Sequence, residues 1–252
     1  MNPSNNNKKE SITNHFVEIR KRIVYFIVFF LSLFLLSYFF IDIIFAFIAN
    51  PIIDALEFKD DKRFIYTNLT EVFTTYIKLS LISAFIFSFP FFIYQIWAFI
   101  SPGLLNKEKK LIFPFLFLIP IMFLLGFIFV YYLIIPLAWD FFVAFDTSSS
   151  GESFSIQIEP KINEYISITL KLALAFGFAF QLPTLIFLLT LFGITTTTNL
   201  KKNRRFVIVI IFLVSAIITP PDIISQIGLA IPILLLYEFS IFISNFFEKK
   251  KK

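Results

Sequence analysis

Two carboxylates stand among bases in this chain. Glu18 in "HFVEIRKRI" precedes Arg20, Lys21 and Arg22, and Glu108 in "SPGLLNKEKK" lies between Lys107 and Lys109-Lys110. Such a carboxylate has two chemistries open to it. It can neutralise a neighbouring cation as a surface pair, worth about 0–1 kcal/mol. It can instead accept an arginine from a ligand at the edge of an apolar groove, where a charge-assisted hydrogen bond is worth roughly 1.5–3 kcal/mol. A second polar set, Asp42, Lys78, Lys171, Gln181 and Glu238, falls within or at the ends of apolar stretches. Ionisable groups at membrane depth are costly enough to be functional candidates by default. Asp42, Lys78 and Lys171 lie near stretch ends and can snorkel. Gln181 and Glu238 lie deeper and suit either an interhelical hydrogen bond or a docking point for another polar helix.

Enzyme chemistry is not supported. His15 is the one histidine and there is no cysteine, which leaves no metal cage, thiolate or disulfide framework. No G-x-S-x-G occurs, since "GESFS" lacks the final glycine, and six glycines leave little room for a phosphate loop. No cofactor and no nucleic-acid partner are expected.

The elements that must position these residues are membrane helices. Of 252 residues 58% are hydrophobic and mean hydropathy is +0.84, well above the roughly 45–50% apolar share of soluble domains. Six apolar stretches, at about 23–48, 79–100, 111–137, 166–192, 206–218 and 223–247, predict an all-α integral membrane protein with six transmembrane helices in one polytopic domain. The fifth stretch has thirteen residues, about 20 Å of helix against roughly 30 Å of hydrocarbon. Together with "TPPD" at 219–222 it predicts that the fifth and sixth helices are short and leave the bilayer thin beside them. Prolines 90, 114, 120, 136, 183 and 232 predict kinks, and kinked helices of unequal length predict a cupped shell. Trp97 and Trp139 are read as interface anchors.

Charge sets the orientation. Sixteen of the 22 lysines and arginines fall in the N-terminal tail, the loop after Ile100, "TTTTNLKKNRR" and the C-terminal tail. Residues 49–76 and 138–165 hold four bases against ten acids. The positive-inside rule therefore places both termini on the cytoplasmic side, or its organellar equivalent.

Four segments in order, "HFVEIRKRI", "FPFFIYQIWAFISPGLLNKEKK", "FGFAFQLPT" and "TPPDIISQIGLAIPILLLYE", resemble the TatC family, the core component of the Sec-independent twin-arginine protein translocase. The resemblance runs from about residue 12 to 247. It implies a receptor that binds twin-arginine signal peptides of folded cargo and nucleates assembly with TatA/TatB-type single-span partners for proton-motive-force-driven export. It also implies a homo-oligomer within the receptor complex, in a bacterial plasma membrane or an organellar membrane. By matching position, Glu18, Arg20, Arg22, Phe99, Pro102 and Glu108 would form the signal-peptide site. Gln181, with Lys78, would face partner helices, and Pro51 and Asp222 would be structural residues of the outer side. Gln181 departs from the glutamate expected at its position. The rival reading is a proton- or ion-coupled small-solute transporter using Lys171, Gln181 and Glu238 as a midplane path.

Overall fold

The apolar stretches do form helices, and proline and charge decide where each one starts and breaks. The computed structural model describes the backbone of residues 3–55, 64–144, 159–219 and 223–251, and side chains of 15–55, 64–144, 159–219 and 226–248. The "TPPD" turn beyond Thr219, Asp222 with it, and most of the 146–159 loop lie outside the described residues. Among the described residues there is no strand, only an isolated parallel bridge between Ile65 and Lys161.

The first stretch divides. Helix α1 runs Pro3–Phe39 and α2 runs Ile41–Ala55, with Asp42 in the first turn of α2, where the helix dipole favours an acid. Pro51 is buried inside α2. Helix α3, Glu71–Ile100, begins eight residues before the apolar stretch, because its first two turns are polar but still helical. The third stretch becomes α4 Asn106–Ile112, α5 Phe115–Phe129, a π-helical turn Val130–Ile134 and α6 Ile135–Val143. The break before α5 falls at Pro114, and Pro136 follows the π turn, consistent with the backbone hydrogen bond each proline removes. The fourth becomes α7 Ile162–Ala179 and α8 Leu182–Leu191, broken where Pro183 cannot donate to Ala179. After α9, Thr197–Lys202, come α10, Arg204–Ile218, and α11, Ile223–Lys251.

Among the described residues, five segments are long and apolar enough to cross a membrane: 15–39, 71–103, 106–143, 162–191 and 226–248. Helix α10 has 15 residues, about 22 Å, and is short as predicted. The sixth helix is not. Helix α11 has 29 residues, because its apolar run continues through Pro232 into the lysine tail with no breaker.

The chain packs as two compact units, one of residues 1–41 and 80–120, the other of 42–79 and 121–252. In the second unit, α5 meets α7 through glycines. A Cβ on Gly126 would sit 2.5 Å from the Phe176 carbonyl oxygen, and one on Gly177 would sit 2.7 Å from the Phe123 ring, so only small residues permit this approach. Helix α2 is pinned by two tyrosines: Tyr131 donates to the Phe47 carbonyl at 2.7 Å and Tyr165 to the Ile48 carbonyl at 2.5 Å. Trp139 is buried at 9% exposure and packs on Tyr165, with centroids 5.0 Å apart. It is a core residue and not the interface anchor the sequence suggested, because Tyr165 presents a ring at its level. At the starts of α3 and α7, buried Glu71 accepts the Thr67 N–H at 2.9 Å, the Asn68 N–H at 3.3 Å and the Asn163 N–H at 3.4 Å.

Candidate functional site

The first unit pairs α1 with the later half of α3, running antiparallel. At about 100° per residue, positions 15, 19, 22, 26 and 29 of α1 form one stripe. That stripe meets α3 through aromatic pairs: His15 with Phe99 at 4.5 Å, Phe26 with Phe92 at 5.0 Å and Phe29 with Phe91 at 4.4 Å. Between the helices lies a groove of about 230 Å³, lined by Ile19, Arg22 and Phe26 from α1 and by Phe92, Gln95 and Phe99 from α3. Its surface is apolar, and Arg22 and the buried Gln95 contribute carbon atoms to it.

Arg22 is held by Glu18. Its Nη2 lies 2.6 Å and its Nε 3.1 Å from Glu18 Oε1, with the two side chains 26% and 34% exposed. Both bonds fall on one oxygen, so the carboxylate keeps a second oxygen for another donor. Arg20 lies 200° around the helix from Arg22 at that pitch and is exposed. Of the named cations in α1, only Arg22 lines the groove.

Pro102 is exposed in the one-turn 3-10 helix Ser101–Gly103 that follows α3. Glu108 then sits at the third position of α4. Its Oε2 accepts the Leu105 N–H at 2.9 Å, satisfying one of the donors that a helix start leaves without a partner. The leucine side chain cannot complete a reciprocal cap. Glu108 therefore has a structural task already, and its other oxygen has no hydrogen bond or ion pair among the described residues. Among those residues, no ion pair joins Glu108 to Lys107, Lys109 or Lys110, so the surface-pair reading is not what the loop adopts. Glu18 and Glu108 engage different partners, one on α1 and one at the cap of α4.

Gln95, Phe26 and Phe92 were not singled out from sequence. The signal was present in the 15-19-22-26-29 spacing on α1 and the 92-95-99 spacing on α3, but neither stripe shows which helix it faces.

In the second unit, Gln181 is the turn residue between α7 and α8; its N–H donates to the Phe178 carbonyl at 3.0 Å and its carbonyl accepts Leu185 N–H at 2.8 Å. Lys78 is exposed and donates to Asn163 Oδ1 at 2.9 Å. Lys171 is exposed on α7. Glu238 is paired with Arg204 at 2.6 Å, which resolves it as an interhelical partner.

A model of the family described as "Sec-independent protein translocase protein (TatC)" matches residues 14–232. The chain is 44% identical over 241 residues to the Sec-independent protein translocase protein TatC of Rickettsia prowazekii, covering 96% of this chain and 95% of that one. It is 39% identical over 240 residues to a tatC-like protein of Reclinomonas americana, covering 94% of this chain and 88% of the other. A crystal structure of the twin arginine translocase receptor TatC superposes with a TM-score of 0.76 at 35% identity, covering 92% of this chain and 98% of that chain.

Proposed function

Because this chain belongs to the TatC family of Sec-independent protein translocase proteins, we propose that the groove between α1 and α3 receives the signal peptide of a folded cargo protein. The chain is a multi-pass membrane subunit of a protein-transport system and not an enzyme, and the small-solute transporter reading is set aside by its family.

The observation that carries the reading is the pairing of an apolar groove with a carboxylate at its edge, on a face of the sequence that is otherwise basic. An apolar peptide segment is matched by Phe26, Phe92 and Phe99. An arginine ahead of it is matched by the second oxygen of Glu18 and by the open oxygen of Glu108. The basic surroundings would repel a cation, so the carboxylates provide the attraction, and their planar geometry favours guanidinium over ammonium. Arg22 orients Glu18 through its fork, Phe99 and His15 close one end of the groove, and Pro102 sets the turn that leads to Glu108. Arg20 contributes from the opposite side of α1, on the surface.

The assembly reading extends to other surfaces. Single-span partners of the TatA/TatB type would approach α7 and α8 near Gln181, and the α3 and α7 starts near Lys78. Copies of this chain would associate within the receptor complex, with the two termini on the basic, cytoplasmic or equivalent side. Pro51, buried in α2, and Asp222 belong to the opposite side.

The test is site-specific photocrosslinking. A photoreactive residue at position 95 or 99 should capture a twin-arginine peptide in membranes, and one at 228 should not. Capture at 228 alone would remove the groove from the site.

A further inference from the structure

The segment after α8 folds back along α11. Thr197, the first residue of α9, is fastened to Glu248: its N–H donates to Oε1 at 3.1 Å and its hydroxyl to Oε2 at 2.6 Å. Three residues on, the Leu200 carbonyl accepts the Tyr237 hydroxyl at 3.0 Å. Arg204 then meets Glu238 at 2.6 Å. Glu248 and Glu238 are ten residues apart on one continuous helix, which is about 15 Å. Seven residues of helical rise carry Thr197 to Arg204 no more than about 10 Å, so the backbone follows α11 for part of that interval and the Arg204, Glu238 and Glu248 side chains span the rest. Over that length α11 exposes Phe239, Phe242 and Phe246, an apolar flank beside the segment. Helix α10 starts partway along α11, beside Glu238, and has 15 residues.

This segment carries charge. Lys201, Lys202, Arg204 and Arg205 occupy it, and Glu238 neutralises only Arg204. Lys201, Lys202 and Arg205 are exposed and make no hydrogen bond or ion pair with any described residue. Three cations without a counter-charge beside an apolar helix face suit an anion at the membrane surface. Beside them α10 exposes Phe206, Val209, Ile210 and Leu213, an apolar face that continues away from the charges.

We infer that Lys201, Lys202 and Arg205 bind the phosphate headgroup of an anionic phospholipid drawn into the leaflet beside α10. The headgroup supplies the missing counter-charge, and its acyl chains cover the exposed face of α10. A free phosphate shares the headgroup chemistry but leaves that face uncovered, and an acidic protein segment offers charge without acyl chains.

Native mass spectrometry of the purified full chain with added phosphatidylglycerol or phosphatidylcholine tests this. The wild type should retain phosphatidylglycerol preferentially. The variant Lys201→Gln/Lys202→Gln/Arg205→Gln should lose that preference by about tenfold or more, since each cation near an anionic surface contributes about fivefold. The charge-matched variant Lys107→Gln/Lys109→Gln/Lys110→Gln should keep it. Arg205→Gln alone should show about a fivefold loss, which keeps the test decisive if the triple variant does not fold. Equal retention by both triple variants overturns the site. Displacement of the lipid by millimolar inorganic phosphate, or tighter retention of a polyglutamate peptide, overturns the lipid assignment. None of these readouts involves the signal-peptide groove.

Discussion

Arg22 grips Glu18 one turn earlier in α1 with two nitrogens on a single carboxylate oxygen, Nη2 at 2.6 Å and Nε at 3.1 Å. The carboxylate is thereby held beside Arg22, which lines the groove, and its second oxygen makes no hydrogen bond to a described residue. A resident guanidinium already shows the kind of partner this carboxylate takes.

The two members of the pair should therefore respond unequally. Glu18→Gln removes the acceptor charge for an incoming arginine and should weaken twin-arginine peptide capture about tenfold to hundredfold. Arg22→Gln removes only a partly exposed pair, worth about 0–1 kcal/mol, and should shift affinity by less than about fivefold. Peptide titration in nanodiscs reads both. An Arg22→Gln loss as large as that of Glu18→Gln would make Arg22 a direct ligand.

Glu108 caps α4 and is proposed to take an arginine, and substitutions separate the two tasks. Glu108→Gln keeps an oxygen for the Leu105 N–H, so thermal stability should stay near wild type while peptide affinity falls about tenfold to hundredfold. Glu108→Ala should lose the cap as well, at a further cost of about 0.5–2 kcal/mol in stability. Glu108→Lys should bind more weakly than Glu108→Gln, since it adds repulsion. With a twin-lysine peptide as control, unchanged twin-arginine affinity in the Gln and Lys variants would leave Glu108 a helix cap alone. The partner complex, assembled on other surfaces, should survive Glu108→Gln in a pull-down.

At the α5–α7 crossing, Gly126→Ala should destabilise the protein by about 1–3 kcal/mol, because the new Cβ meets backbone, which cannot swing aside as a side chain can. Gly228→Ala is the control, with nothing within 4 Å of its Cβ. Thermal unfolding in detergent should place Gly126→Ala clearly below Gly228→Ala, and equal midpoints would mean that the two helices separate without cost.

The absence of native cysteine makes topology directly measurable. Single cysteines at Leu69, 96% exposed, and at Asn199 should label from opposite faces of the membrane, Asn199 from the basic side. Labelling of both from one face would overturn the topology drawn from charge.

The chain's amino-acid order settled the membrane helices, the unequal fifth helix, the family motifs and the charge asymmetry. A bilayer reads hydrophobicity and charge residue by residue along a span, so these need no knowledge of what packs where. Partnerships were decided only in three dimensions. The sequence left Glu238 between docking point and internal bond until Arg204, 34 residues earlier, was found at its level. It read Trp139 as an anchor because nothing local reveals the Tyr165 ring beside it. It read the sixth helix as short because a tight turn was taken to match neighbouring lengths, whereas α9 folds back and lets α10 begin partway along α11. Likewise Gln95 joined the candidate site only once α1 and α3 were paired, since a helical stripe specifies a face while the opposing helix decides what that face becomes.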